Sequence, residues 1–492
     1  MLKLNKDVIF LILKELQDDN KSLYSCLLVN RTWCETTVPI LWKNPARQYY
    51  STNNAYSILF NVILLHLSEE SRNNLRCQGI NLFMKPYQRP LFNYISFWRH
   101  LDLLFLEHMM NVFVMDIVKS KIFIIEDEIF KLFINGNTNF VSLFIPKLFN
   151  LRTFSIFGVE HCFSGLEYFH CDDNTNSNIL EGLSRISTSI EELRVDIRYN
   201  NADNPGIVRL IEDQKNLKDV KFIYNNSNPN NESYRKTLEE SLIKCADTIQ
   251  SLRIDWNPVT NFLSNLVNLV SLDLNLCFSH LLLEINWCHL EQVSLPVLKI
   301  LKTQQVPPKV LASLVESTNG YLTEISILHQ SVEDGKLIRT IYKNCPNLSY
   351  LKLSIFSVGL TEFENLLINC QSLNELEIIG RHNNLNNFNF EFNWDKLFEI
   401  LTKSSPISLF KFKFFSAWKI KSESLRLFLD NWKDRFPMFP MLLQLILTKN
   451  ANVELLRQQQ QQQQQQKLED LIENYKKIGV IKKYDIDEVL II

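Results

Sequence analysis

The sequence predicts an α/β chain: a short N-terminal helical module, then a solenoid of strand–helix units with a curved parallel sheet inside and helices outside. Three observations predict this. A six-residue apolar pattern returns along most of the chain, helically spaced segments separate its instances, and the first forty residues hold more large apolar side chains than so short a stretch can bury.

Composition narrows the function first. The chain has 492 residues, 46% apolar and 11% aromatic, which is globular rather than disordered. Lys and Arg number 52 against 54 Asp and Glu. No net field attracts nucleic acid or an anionic membrane, so partners are expected to be proteins found by shape. The longest apolar run, Val8 to Leu13, is too short to span a bilayer. It follows Lys3 and Lys6 as a signal peptide would, but Lys14 and Glu15 come next and no small-residue cleavage site appears. A mature, intracellular N-terminus is expected, cytoplasmic or nuclear.

Ten cysteines without a CxxC pair fit a reducing compartment. His161-Cys162 and His170-Cys171 match no usual zinc spacing, so no metal is expected. The 11 glycines are about a third of the roughly 34 that average usage would give. No GxGxxG, GxxxxGK[ST], GxSxG or HExxH string occurs. The sequence therefore predicts no cofactor and no catalytic residue.

Residues 1–45 form the helical module. Ile9, Ile12, Leu13 and Leu16 fall on one helical stripe that Asn5 can cap, while Val8, Phe10 and Leu11 lie off it. A helix apolar on more than one side must be covered on more than one side. After the turn QDDNK, a second helix is predicted to run from Leu23 through Leu27, Leu28 and Val29 to Trp33, with Pro39 as its stop. Residues 46–145 read as a helical linker with degenerate first repeats, aromatic-rich in Ser57–Leu67 and Leu91–Met109.

Residues 146–447 carry the repeat. Its instances start at Leu151, Ile190, Leu217, Ile249, Leu269, Leu290, Leu322, Leu348, Leu373 and Leu409, 20 to 39 residues apart. Each ends in a period-two alternation that suits a strand with one buried face. Leu238, Leu242 and Ile243, then Leu337, Ile338 and Ile341, then Phe363, Leu366 and Leu367 supply helices between strands. Such units bury their edges only by stacking. Residues 448–492 are expected to be a tail with a glutamine tract, Gln458–Gln466, a helix on Leu468, Leu471, Ile472 and Tyr475, and a closing strand or packed tail in YDIDEVLII.

Strand positions alternating with the buried ones face solvent and are the candidate substrate surface. They are Arg194, Asp196, Lys221, Arg253, Asp255, Asp273, Asn275, Ser294, Ser326, Lys352, Glu377 and Lys413, with Trp256 just beyond a strand as an expected exposed anchor. Their mixed signs predict a target of mixed charge.

The strings KNCPNLSYLKL, INCQSLNELEI and LVSLDLNLC resemble the cysteine-containing class of leucine-rich repeats, in which the cysteine fills a tight inner corner. Residues 1–45 resemble the F-box, the adaptor-binding module of substrate receptors for cullin-RING ubiquitin ligases. Leu4 takes the place of the leucine in the family's opening Leu-Pro, with Asn5 in the place of the proline. Val8, Ile9, Ile12, Leu13 and Leu16 resemble its first helix. Leu23, Leu27 and Val29 resemble its second, Trp33 the tryptophan after a basic residue, and Trp42 a frequent closing tryptophan. The resemblance implies that these residues bind the adaptor of an SCF complex and, through it, cullin and a RING subunit. It also implies that the repeats hold the protein to be ubiquitylated and that the chain is not itself an enzyme. A leucine-rich scaffold with no ligase role is the alternative.

Overall fold

A computed structural model describes residues 4–48, 53–82, 88–113, 119–146, 158–198, 203–224, 231–276, 286–329, 334–380, 392–416, 420–450 and 455–491. The chain divides into two compact units, Met1–Asn225 and Asn226–Ile492. Both are α/β, with parallel strands paired in chain order.

The first unit opens with three helices, α1 (Lys6–Glu15), α2 (Asn20–Leu27) and α3 (Arg31–Leu41). Each starts on an Asx cap: Asn5 accepts from the Asp7 N–H, Asp19 from that of Ser22 and Asn30 from that of Trp33. The Asn30 cap divides the single helix expected from Leu23 past Trp33 to a stop at Pro39. Pro39 does not stop the segment. It sits inside the last turn of α3.

Next come α4 (Asn53–Leu64), α5 (Glu69–Cys77), β1 (His100–Asp102), α6 (Leu103–Phe113), α7 (Lys119–Phe133) and β2 (Ser142–Ile145). The stretch Leu91–Met109, expected to be helical, therefore contains a strand. Trp98, Leu101 and Leu103 are buried there and carry the same pattern as the later repeats. The unit continues through α8 (Val159–Phe163), β3 (Tyr168–Asp172), α9 (Ser177–Ile186), β4 (Glu192–Ile197), α10 (Pro205–Glu212) and β5 (Asp219–Tyr224). The instance at Leu151 lies outside the described residues. The strands β2 and β3 have no counterpart among the expected instances, although Phe140, Leu143, Ile145 and Leu166, Phe169, Cys171 are buried at the repeat spacing.

The module is tied to this ladder at its end. Trp42 packs against Tyr94 with the rings tilted and their centroids 4.4 Å apart, and the Arg99 N–H donates to the Lys43 carbonyl at 2.9 Å.

The second unit runs α11 (Glu232–Ile243), β6 (Ser251–Ile254), β7 (Ser271–Asn275), α12 (Cys288–Glu291), β8 (Ile300–Gln304), α13 (Pro308–Glu316), β9 (Glu324–Leu328), α14 (Gly335–Asn344), β10 (Tyr350–Ile355), α15 (Leu360–Asn369), β11 (Glu375–Gly380), α16 (Trp394–Ser404), β12 (Lys411–Ser416), α17 (Ser422–Lys433), β13 (Met441–Asn450), α18 (Leu455–Lys477) and β14 (Ile481–Ile491). Equivalent apolar residues stack in register from strand to strand, Leu252, Leu272, Leu301, Ile325, Leu351, Leu376, Phe412 and Leu443. Each is essentially buried, and each such side chain contributes about 1.5–3 kcal/mol relative to exposure. Cys345 and Cys370 are buried at the ends of α14 and α15, where burial pushes each thiol up to about 12. Cys277 lies outside the described residues.

Two assignments change. The instance at Leu290 is not a strand: Leu290, Val293 and Leu295 are buried, but in helix α12 and the turn after it, and the strand comes later as β8. Ile243, expected in the core of α11, is exposed. Near the C-terminus the expected helix forms as α18, which includes the glutamine tract, and of the two expectations for YDIDEVLII the closing strand is the one found, β14 pairing with β13 over ten residue positions. Among the described residues no helix is long and apolar enough to cross a membrane.

Candidate functional site

The N-terminal module completes a small core of its own. Ile9, Leu13, Leu23, Cys26 and Leu41 are buried in it, with Leu16, Leu27, Trp33, Ile40 and Trp42 packed half-buried around them. Ile9, Leu13 and Leu23 therefore hold the helices together and are not presented to a partner. This corrects the sequence reading, which grouped them with docking residues.

A second apolar set points outward. Leu4, just before the Asn5 cap, and Val8, Leu11 and Ile12 on α1 stand 53%, 42%, 61% and 38% exposed. The spacing of Val8, Leu11 and Ile12 places those three on one stripe roughly 100° wide, beside the inward stripe of Ile9, Leu13 and Leu16. Phe10 is exposed on a separate face. Tyr24 on α2, Leu28 as its C-cap and Val29 beyond are exposed as well, Leu28 at 87%. Aliphatic side chains exposed this close together in the sequence make this part of the module a candidate interaction surface. Of the predicted docking residues, then, Leu4, Val8, Ile12 and Val29 are on the surface, and Leu16, Leu27 and Trp33 are partly so. Leu11, Tyr24 and Leu28 join them.

The helix-free face of the strands is the second candidate surface, and its charges are mostly paired with each other. In the first unit, Arg194 lies 2.9 Å from Asp196 and His170 lies 3.0 Å from the same carboxylate. Burial alone raises Asp196, but these two neighbours outweigh it and hold the carboxyl at about 2. His170 stacks on Phe144 at 4.1 Å, a contact the sequence reading did not find because it missed β2 and β3. Lys221 pairs with Asp219 at 3.0 Å, and Arg198 with Asp172. Burial pushes the neighbouring Asp173 up to about 7.

In the second unit, Arg253 lies 3.1 Å from Asp255 and 3.8 Å from Asp273, and burial raises Asp273. Lys352 and Lys413 approach Glu377 at 3.0 and 3.8 Å, Lys411 approaches Glu375 at 3.1 Å, and Lys352 and Lys413 also lie over the Phe415 ring. Part of this set lines a cleft of about 290 Å³ bounded by Glu375, Lys411, Lys413, Gln444 and Lys483. Asn275 and Ser326 are half-buried on their strands. Asp196, Asp255 and Glu377 are buried, so they serve as counter-ions within the face.

Two expected surface residues are displaced. Ser294 is exposed but lies in the turn after α12, not on a strand. Trp256 is no anchor: it is 2% exposed and its Nε1–H donates to Glu239 at 2.9 Å. The buried Glu239 also accepts from the N–H of Val259, the N–H of Thr260 and the Thr260 hydroxyl. It is the knot that closes the turn after β6.

Among the described residues no group of His, Cys, Asp and Glu is arranged to hold a metal. Cys162 donates its thiol hydrogen to the Asn135 carbonyl, and Cys171 is buried with its thiol pushed well up by that burial. Among known proteins, no family model matches the chain and no curated protein matches it.

Proposed function

We propose that the chain is the substrate-recognition subunit of an SCF-type cullin-RING ubiquitin ligase. In this reading residues 1–45 act as an F-box that docks the adaptor, and the strand–helix array, read as leucine-rich repeats, binds the protein to be ubiquitylated. One observation carries the reading: the module's core is filled by Ile9, Leu13, Leu23, Cys26 and Leu41, yet a further apolar set, Leu4, Val8, Leu11 and Ile12 with Tyr24 and Leu28, is left in water. A cap that only shielded the end of a repeat array would be polar on its outer side.

The receptor needs no nucleophile of its own. Holding a target beside a charged conjugating enzyme raises the local concentration of the acceptor lysine, and proximity is the whole of its catalytic contribution. The clefted ladder of Lys352, Glu377, Lys411, Lys413 and Phe415 supports the array as the gripping half, since it combines an aromatic ring with positioned donors and acceptors.

The purified chain is expected to form a complex with the SCF adaptor. Val8→Asp and Leu28→Asp should each weaken it by more than about tenfold, the loss typical of a central interface residue, while leaving the melting temperature unchanged. A chain that forms no complex would be a protein-binding scaffold outside any ligase, and a complex that tolerates both substitutions would overturn the docking surface proposed on residues 1–45. Leu13→Asp is not a test of docking, because it buries a charge in the module's own core.

A further inference from the structure

Strand β14 ends the ladder of the second unit. It pairs with β13 on one side, and among the described residues no strand pairs with the other. Most strands of the chain span three to six residues, whereas β13 and β14 span 10 and 11. A long strand with one side unpaired exposes a row of N–H and C=O groups that template pairing with another chain.

The order of side chains along that edge says which chain. From Lys483 the sequence reads Lys, Tyr, Asp, Ile, Asp. Two copies related by a twofold axis pair antiparallel, and residues directly opposite then lie on the same face of the sheet. With Asp485 on the axis, Lys483 stands opposite Asp487 of the other copy and Tyr484 opposite Ile486. Each match occurs twice, joining cation to anion and apolar to apolar. Moving the axis to Tyr484 keeps a cation–anion match, Lys483 with Asp485, but sets Lys482 against Ile486 and Ile481 against Asp487, and moving it to Ile486 sets Asp485 against Asp487. Charges placed on an edge merely to discourage pairing need no such order.

The charges involved are accessible. Lys483 and Asp485 are 73% and 56% exposed and lie a loose 3.7 Å apart, while Gln444 donates to Asp487 at 2.6 Å and fixes it on the helix-free face. We infer that the β14 edge is a homodimer interface in which two copies of this chain join their sheets, with Lys483 of each meeting Asp487 of the other. The inference stands apart from whatever residues 1–45 dock. It would give an assembly two substrate-binding arrays and, with them, avidity for a target that offers two sites.

Sedimentation equilibrium of the full chain tests it. The wild type should show reversible, concentration-dependent dimerisation that weakens with salt. Lys483→Asp and Asp487→Lys should each give a monomer that melts at the wild-type temperature, and the double exchange Lys483→Asp with Asp487→Lys should restore the dimer. Asp485→Asn, which removes the like-charge pair on the axis, should tighten association roughly fivefold. A monomeric wild type, a dimer indifferent to Lys483→Asp, or a double exchange that stays monomeric would each overturn the proposal.

Discussion

At the scale of single residues, the buried acids behave differently according to what surrounds them. Glu239 accepts hydrogen bonds from Trp256, Val259 and Thr260 inside the second unit, and burial raises its carboxyl. Glu239→Ala orphans all of those donors and is expected to cost more than about 3 kcal/mol in urea unfolding. Glu239→Gln keeps an acceptor and should cost less than half as much. Asp173, held up at about 7 by burial, binds its proton more tightly folded than unfolded. Its contribution to stability is therefore greatest near pH 4 and shrinks as pH rises through 7. Asp173→Asn should raise the melting temperature by a few degrees at pH 8 and leave it unchanged at pH 4. Asp196, held at about 2, has the opposite sign and stabilises until the pH falls below its unfolded value, so Asp196→Asn should lower the melting temperature at neutral pH. None of this was legible in the sequence. An aspartate in an alternating strand reads the same whether it faces water or a buried arginine, and Trp256 read as an anchor because the glutamate that buries it lies seventeen residues earlier.

At the scale of elements, the repeat pattern was legible wherever its positions were filled by Leu or Ile and obscured where they were not. The first strands carry Trp98, Phe140 and Phe169 at these positions, and Cys171 closes the third. Aromatic and thiol side chains fill the same volume but break the leucine signature. The opposite failure occurred at Leu290, where Leu290, Val293 and Leu295 reproduce the spacing in a helix and turn, because three buried positions do not distinguish a strand from any other segment that turns its back on water. Gly206 carries no sequence signal of its role. A Cβ there would stand 2.7 Å from the Ser177 carbonyl oxygen and 2.9 Å from the Leu180 Cβ, so α9 and α10 approach closely only because that carbon is missing. Gly206→Ala should separate them at a cost of about 1–3 kcal/mol, measurable as a lower midpoint in urea.

At the scale of the whole molecule, affinity capture from cells, comparing the full chain with one lacking residues 1–45, separates the two kinds of partner. The adaptor and cullin should vanish with the deletion, while proteins held by the strands should remain. Retention of adaptor and cullin by the shortened chain would place their docking elsewhere. Under the proposed receptor role, the pairing of Arg194 with Asp196, Arg253 with Asp255 and Asp273, and Lys352 with Glu377 bears on how a target would arrive. Cations and anions that neutralise one another at this range cast little long-distance pull, so encounter proceeds near the unsteered rate of about 10⁵–10⁶ per molar per second. Selectivity then resides in how long a captured protein lingers, and moderate changes in ionic strength should alter its arrival very little.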